Sequence, residues 1–247
     1  MIPKIIHYCW FGRNPLPASA QKCIASWRKF FPDYEIKEWN EDNFDVNIIP
    51  YTREAYEAKK YAFVSDYARF WILYKYGGLY FDTDVEVIKP MDDIIERGPY
   101  MGIELIGADG IPQVNPGLGL GAESQNVFYK KVLDYYNDQR FLNEDGSLNQ
   151  MTVVTRVTCV LTEAGMQATP AKQQVGDIWI YPYDFFNPLE SLTGKLKTTE
   201  NTRSIHWYMN SWSDSSSLRQ WLSRMSHKLL GMKLHHLKEL LKRVFNL

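Results

Sequence analysis

Cysteine is scarce and unpatterned. Cys9, Cys23 and Cys159 are odd in number and lack metal-type spacing. That excludes a disulfide framework or a thiolate zinc cluster and fits free thiols in a reducing compartment. Net charge is nearly absent too, at −1 overall, which argues against a dedicated nucleic-acid binder. No apolar run reaches the roughly 18 residues needed to span a membrane. The opening IPKIIHYCWFG is interrupted by Pro3, Lys4 and His7, so it reads as a strand and not as a signal peptide. A cytoplasmic location is expected. A Rossmann dinucleotide loop is missing as well: the glycines of Asn115-Pro-Gly-x-Gly-x-Gly121 do not follow the first strand.

What is present is aromatic. Phe, Trp and Tyr make up 15% of the 247 residues, more than a core strictly needs, and stacking on a sugar or a base would use them. The chain is long enough for one sizeable core.

The most informative stretch is 61–86, YAFVSDYARFWILYKYGGLYFDTDVE. Phe63, Tyr67, Phe70, Trp71 and Tyr74 recur at helical spacing, and the helix is expected to begin near Thr52. Asp66 and Arg69, three apart, can pair on neighbouring turns. Gly77-Gly78 supplies the stop. A period-two strand is then expected, with Tyr80, Asp82, Asp84 and Glu86 on one side. On an extended backbone the Asp82 and Asp84 carboxylates share a face, their Cα atoms roughly 7 Å apart. Two hard oxygen ligands there suit Mg²⁺ or Mn²⁺. The competing reading is a pair of solvated acids on an exposed edge strand.

Taken together, Ser65-Asp66-x-x-Arg69 and Gly77-Gly78-x-Tyr80-x-Asp82-x-Asp84 resemble the core of the family 32 glycosyltransferases. These nucleotide-sugar enzymes include bacterial capsule and surface-polysaccharide transferases and relatives of clostridial glucosylating toxins. The resemblance implies a GT-A fold, Rossmann-like and mainly parallel in its central sheet, with a UDP-sugar donor, Mn²⁺ or Mg²⁺, and retention of configuration. It implies direct metal binding by Asp84, and a metal-bound water or sugar contact by Asp82. Asp66 and Arg69 would orient donor hydroxyls and diphosphate, and Tyr80 would meet a phosphate. Trp10, in a strand ending His-Tyr-x-Trp-Phe-Gly, corresponds to the residue that stacks on the base; its alternative is a core tryptophan.

Elsewhere, helices are expected over 19–31 and 125–136 and a short strand over 34–39. The segment 152–161 fits helix or strand by pattern, and the resemblance favours helix. The glycines after Asn115 are read as room for a sugar, with Asn115 a donor-site contact. In Thr202-Arg-Ser-Ile-His206-Trp-Tyr-Met-Asn-Ser-Trp212, the resemblance makes His206 a third metal ligand, with Asn210 the alternative and Trp212 a lid or base-stacking residue. No convincing general base stands out. The expected acceptor is a saccharide, lipid-linked acceptors included.

Two rival functions share these residues. Phe81-Asp82-Thr83-Asp84-Val85 also fits the apolar-D-x-D motif of aspartyl-phosphate phosphatases, with Asp82 as nucleophile. That motif normally opens its domain, and the double glycine before it would be unexplained. A non-catalytic carbohydrate- or metal-binding module is the other.

The catalytic domain is expected to span 1–214, with 215–247 a helical extension. The extension holds seven basic residues against the single acid Glu239, a net +6 that leaves −7 for the rest of the chain. Trp221, Met225, Leu229, Met232, Leu237, Leu240 and Val244 form an apolar stripe, broken near Gly231, and basic residues occupy the remaining surface. The pattern fits a foot on the inner face of an anionic membrane, or a helix packed on the domain. Each engaged basic residue adds about 1 kcal/mol beside an anionic leaflet. The foot predicts salt-sensitive co-sedimentation with anionic liposomes, abolished by truncation after Asp214. Absence of binding by both proteins at low salt contradicts it.

Overall fold

The computed structural model describes residues 1–190 and 193–209. Asn210, Trp212 and the basic tail lie outside the described residues. The chain divides into two units, Met1–Pro188 with Thr198–Trp207, and Leu189–Lys197 with Tyr208–Leu247. In the described part of the second unit, Leu189 and Leu196 form an antiparallel bridge.

The first unit begins with β1 (Ile5–Cys9), α1 (Ala18–Phe30), β2 (Glu35–Trp39), α2 (Pro50–Glu57) and α3 (Tyr61–Tyr76). Then come β3 (Gly78–Tyr80), β4 (Val85–Val87), α4 (Asp92–Ile95), β5 (Tyr100–Ile106) and β6 (Pro112–Val114). A 3-10 turn (Pro116–Leu118) leads to β7 (Leu120–Ala122), α5 (Val127–Asn137) and α6 (Val153–Glu163). The unit closes with β8 (Gln173–Val175), β9 (Ile178–Tyr181), α7 (Tyr183–Phe186) and β10 (Ser204–His206).

The central sheet has the order β2-β1-β3-β7-β5-β9-β8, with β6 attached to β5. β1 is parallel to β2 and β3, and β5 to β9. β7 runs antiparallel between β3 and β5, so β2, β1, β3, β5 and β9 share one direction. This is the mainly parallel α/β sheet flanked by helices that the sequence implies. Alternate strand residues feed opposite faces. Cys9, Tyr80, Met101, Ile103 and Ile180 join α2, α3, α5 and α6 in one core. Ile6, Tyr8, Leu79, Tyr100 and Tyr181 join α1 and α7 in the other.

Two sequence expectations need correction. The helix expected to begin near Thr52 is two helices, because the backbone turns at Lys59, φ +56°. There Lys60 N–H reaches back to the Ala55 carbonyl and Lys59 N–H to Tyr56, a helix ending built without glycine. The strand expected through Asp82 and Asp84 is also interrupted: β3 stops at Tyr80 and β4 starts at Val85. The two strands belong to different sheets, β4 pairing with β10, so the acids sit on a turn between them. Segment 153–163 is helical despite its β-branched residues; Thr152 Oγ accepts the Thr155 N–H at 3.2 Å as its cap.

The glycine stop is tied to β1. Gly77 and Gly78 have φ +66° and +105°, and a Cβ on Gly78 would meet the Ile5 carbonyl at 2.6 Å and His7 Nε2 at 3.1 Å. Trp39 Nε1 donates to His7 Nδ1 at 3.0 Å, and His7 Nε2 faces the Gly77 carbonyl at 3.0 Å. Indole can only donate, so His7 is the neutral Nε2–H tautomer. Burial lowers its pKa from 6.5 to about 4. Between those values the unfolded chain binds the proton more readily, so this contribution to stability is complete above pH 6.5 and falls with acidification. The loss approaches about 3 kcal/mol by pH 4. Ring NMR shifts of His7 are expected to hold the neutral form to about pH 4; a midpoint near 6.5 contradicts the buried pairing.

Candidate active site

Helix α1 fixes the chain immediately after the acid pair. Trp27 Nε1 donates to the Val85 carbonyl at 2.7 Å, and Val87 N–H donates to Ser26 Oγ at 2.9 Å. Val85 N–H closes the turn onto the Asp82 carbonyl at 3.0 Å. β10 then pairs antiparallel with β4, setting His206 opposite Val85, and Trp207 N–H donates to the Asp84 carbonyl at 3.0 Å. The result is convergence: His206 Nε2 lies 3.1 Å from Asp84 Oδ1. One ligand atom from each of Asp82, Asp84 and His206 falls within 4.8 Å of the others. Two carboxylates and an imidazole, brought together from distant parts of the chain, fit a divalent cation of the Mg²⁺ or Mn²⁺ type.

Arg69 lies beneath the acids. Its Nη2 reaches Asp66 Oδ1 at 2.9 Å and Asp82 Oδ1 at 3.3 Å, and Nη1 reaches Asp82 Oδ2 at 3.5 Å. Nε donates to the Ser65 carbonyl at 3.2 Å, and the guanidinium lies 5.0 Å from the Tyr80 ring centre. Burial opposes its charge, but Asp82, Tyr80 and Asp66 raise its pKa overall. Asp66 also takes the backbone N–H of Val153 at the start of α6; burial lifts its pKa to about 6 against the pull of Arg69. Burial raises Asp82 as well, again opposed by Arg69. For His206 burial disfavours the charged ring, but Asp84 outweighs it and the pKa rises.

The remaining predicted residues take varied places. Tyr80 is buried, and its hydroxyl donates to Asp82 Oδ1 at 3.2 Å. Trp10 is half-buried, its indole N–H donating to the Asn14 carbonyl at 2.6 Å. Asn115 is buried; its Oδ1 accepts Gly117 N–H at 2.7 Å and its Nδ2 donates to Glu104 Oε2 at 3.2 Å. The glycines after it make room for protein and not for sugar: a Cβ on Gly117 would collide with the Asp82 carboxylate, and one on Gly119 with Phe81. Glu104 was not foreseen. A lone acid in the apolar run Tyr-Met-Gly-Ile-Glu-Leu-Ile was the available signal. Arg156, fully buried with its guanidinium 4.9 Å from the Tyr136 ring centre, escaped notice because its helix reads as apolar.

Residues 17–100 match the family model described as a glycosyltransferase sugar-binding region containing the DXD motif. Asp66, Arg69, Tyr80, Asp82 and Asp84 fall inside that match. Inositol phosphoceramide mannosyltransferase 3 of Schizosaccharomyces pombe (strain 972 / ATCC 24843) is 34% identical over 98 residues, 38% of this chain and 27% of its own. Inositol phosphoceramide mannosyltransferase 1 of the same organism is 30% identical over 111 residues, 40% and 33% of the two chains. The chain thus spans about a third or less of these curated relatives. A solved glycosyltransferase involved in glycosylation of the major capsid of PBCV-1 aligns over 90% of this chain and 100% of its own, at 14% identity and TM-score 0.48.

The Asp82–Asp84–His206 convergence predicts that His206→Ala, while still folded, binds Mn²⁺ more weakly by at least ~10-fold, the lower end of what loss of even an outer-sphere partner costs. Titration followed by the electron paramagnetic resonance of free Mn²⁺ checks this. A wild-type-like titration removes His206 from the ligand set.

Proposed function

We propose that this chain is a metal-dependent, retaining glycosyltransferase that moves a hexosyl unit from a nucleoside-diphosphate sugar to a saccharide acceptor. The observation that carries this reading is the meeting of Asp82, Asp84 and His206 at the carboxyl end of β3, the edge where open α/β sheets bind ligands. UDP is the first candidate nucleotide, from the resemblance of the Ser65–Asp84 motifs. The relatives named mannosyltransferases make mannose a candidate for the sugar. Their inositol phosphoceramide names, with the basic amphipathic tail, favour a lipid-linked acceptor at an anionic membrane face. A role in bacterial surface-polysaccharide synthesis follows the family resemblance.

Asp84 and His206 would hold the cation directly, with Asp82 engaged through water or sugar, since Tyr80 and Arg69 already occupy both of its oxygens. When bound, the cation supplies charge neutralisation for the departing diphosphate. Arg69, itself buried, keeps buried Asp66 and half-buried Asp82 ionised and oriented. Asp66 is offered to donor hydroxyls. Trp10, and Trp212 beyond the described residues, are the candidates for stacking on the base. With retention at the front face, the departing phosphate accepts the proton of the attacking hydroxyl.

The phosphatase alternative needs Asp82 as a nucleophile, and a carboxylate with both oxygens already hydrogen-bonded or ion-paired is poorly placed to attack. A panel of UDP- and GDP-hexoses, hydrolysed with Mn²⁺ or with EDTA, tests the reading. Turnover is expected for at least one donor with metal only. Asp84→Ala is expected to reduce it at least ~100-fold, the scale for losing a preorganised charge-stabilising group. Full activity in EDTA or in the folded variant overturns the proposal, and release of phosphate from a generic phosphomonoester favours the phosphatase.

A further inference from the structure

Glu104 has no part in the arrangement so far. It lies near the carboxyl end of β5, which runs in the same direction as β1 and β3. It therefore shares the sheet edge that carries Trp10 and Asp82. Its side chain is partly exposed. It is not one of the three converging ligand groups among the described residues.

Among the described residues, two amides hold it. Asn187 Nδ2 donates to the Glu104 backbone carbonyl at 3.0 Å, fixing the strand end. Asn115 Nδ2 donates to Glu104 Oε2 at 3.2 Å. The Asn115 amide cannot be reversed cheaply, because its Oδ1 accepts Gly117 N–H at 2.7 Å. That same glycine lets the loop pack against Asp82. One short loop thus positions a metal-side carboxylate and Glu104 together.

We propose that Glu104 accepts a hydrogen bond from the attacking hydroxyl, that of the saccharide acceptor during transfer and of water during donor hydrolysis. An ionised carboxylate can only accept, and the group it would meet at this edge, beside a charged donor, is an O–H that must point its oxygen at the anomeric carbon. In the step itself the anomeric carbon's bond to the diphosphate oxygen breaks and its bond to the hydroxyl oxygen forms. The hydroxyl proton, hydrogen-bonded to Glu104 while the nucleophile is aligned, turns to the departing oxygen as that bond breaks and leaves with the nucleoside diphosphate. Glu104 aligns the attack and is unchanged. This assignment rests on the transferase reading above.

Glu104→Gln is the informative change. Asn115 Nδ2 would hold the new amide oxygen, so an NH₂ donor would face the position where the carboxylate accepts. The variant is expected to lower kcat for hydrolysis of the nucleotide sugar roughly 10- to 100-fold, the scale of one charged hydrogen bond, with donor KM and Mn²⁺ affinity unchanged. Unchanged kcat overturns the proposal. So does a raised donor KM or weakened Mn²⁺ binding with kcat intact, which would put Glu104 in the donor pocket. If the wild-type protein turns over no nucleotide sugar, the transferase reading fails and this assignment with it.

Discussion

A buried guanidinium holds this site together. Buried Asp66 and half-buried Asp82 and Asp84 crowd one end of the sheet, and carboxylates drawn out of water repel each other and lose hydration. Arg69 joins the first two, at 2.9 and 3.3 Å, and is itself held by the Ser65 carbonyl and the Tyr80 ring. Removing it would leave two carboxylates without their cation. The more economical state would then protonate one of them, and a protonated acid at Asp82 is a poorer partner for a metal. The helix bearing Arg69 matters for this reason as much as for its apolar face. Its glycine ending, pinned by His7, sets where β3 emerges and so where Asp82 stands.

A backbone ladder supplies the rest. β4 and β10 are short, yet their register sets His206 opposite Val85, and Trp207 closes onto the Asp84 carbonyl. Trp27 and Ser26 hold β4 from α1. The geometry of the three ligand groups is therefore set by elements far apart in sequence. Such rigidity suits electrostatic stabilisation of a leaving diphosphate, which depends on groups that need not reorganise.

Legibility in the sequence followed the range of the interactions. Local signals gave the helix carrying Asp66 and Arg69, the double-glycine stop and the acid pair, because spacing and backbone freedom are properties of adjacent residues. Periodicity could not show that Asp82 and Asp84 lie on a turn, since the break between β3 and β4 follows from their pairing with different sheets. The Lys59 helix ending was invisible because no glycine or proline marks it. Glu104 gains its meaning from Asn115, a contact made by the fold. Gly117 looked like space for a ligand because a sequence reveals a missing Cβ but not which group fills the gap. At Gly117 that group is the Asp82 carboxylate.

Diffraction from crystals soaked with Mn²⁺ and UDP tests the central claim most directly. A single anomalous peak is predicted among Asp82, Asp84 and His206, in contact with the diphosphate and with Arg69 still bound to Asp66 and Asp82. An anomalous peak elsewhere, or UDP ordered at the strand ends with no metal beside these three residues, would contradict the account.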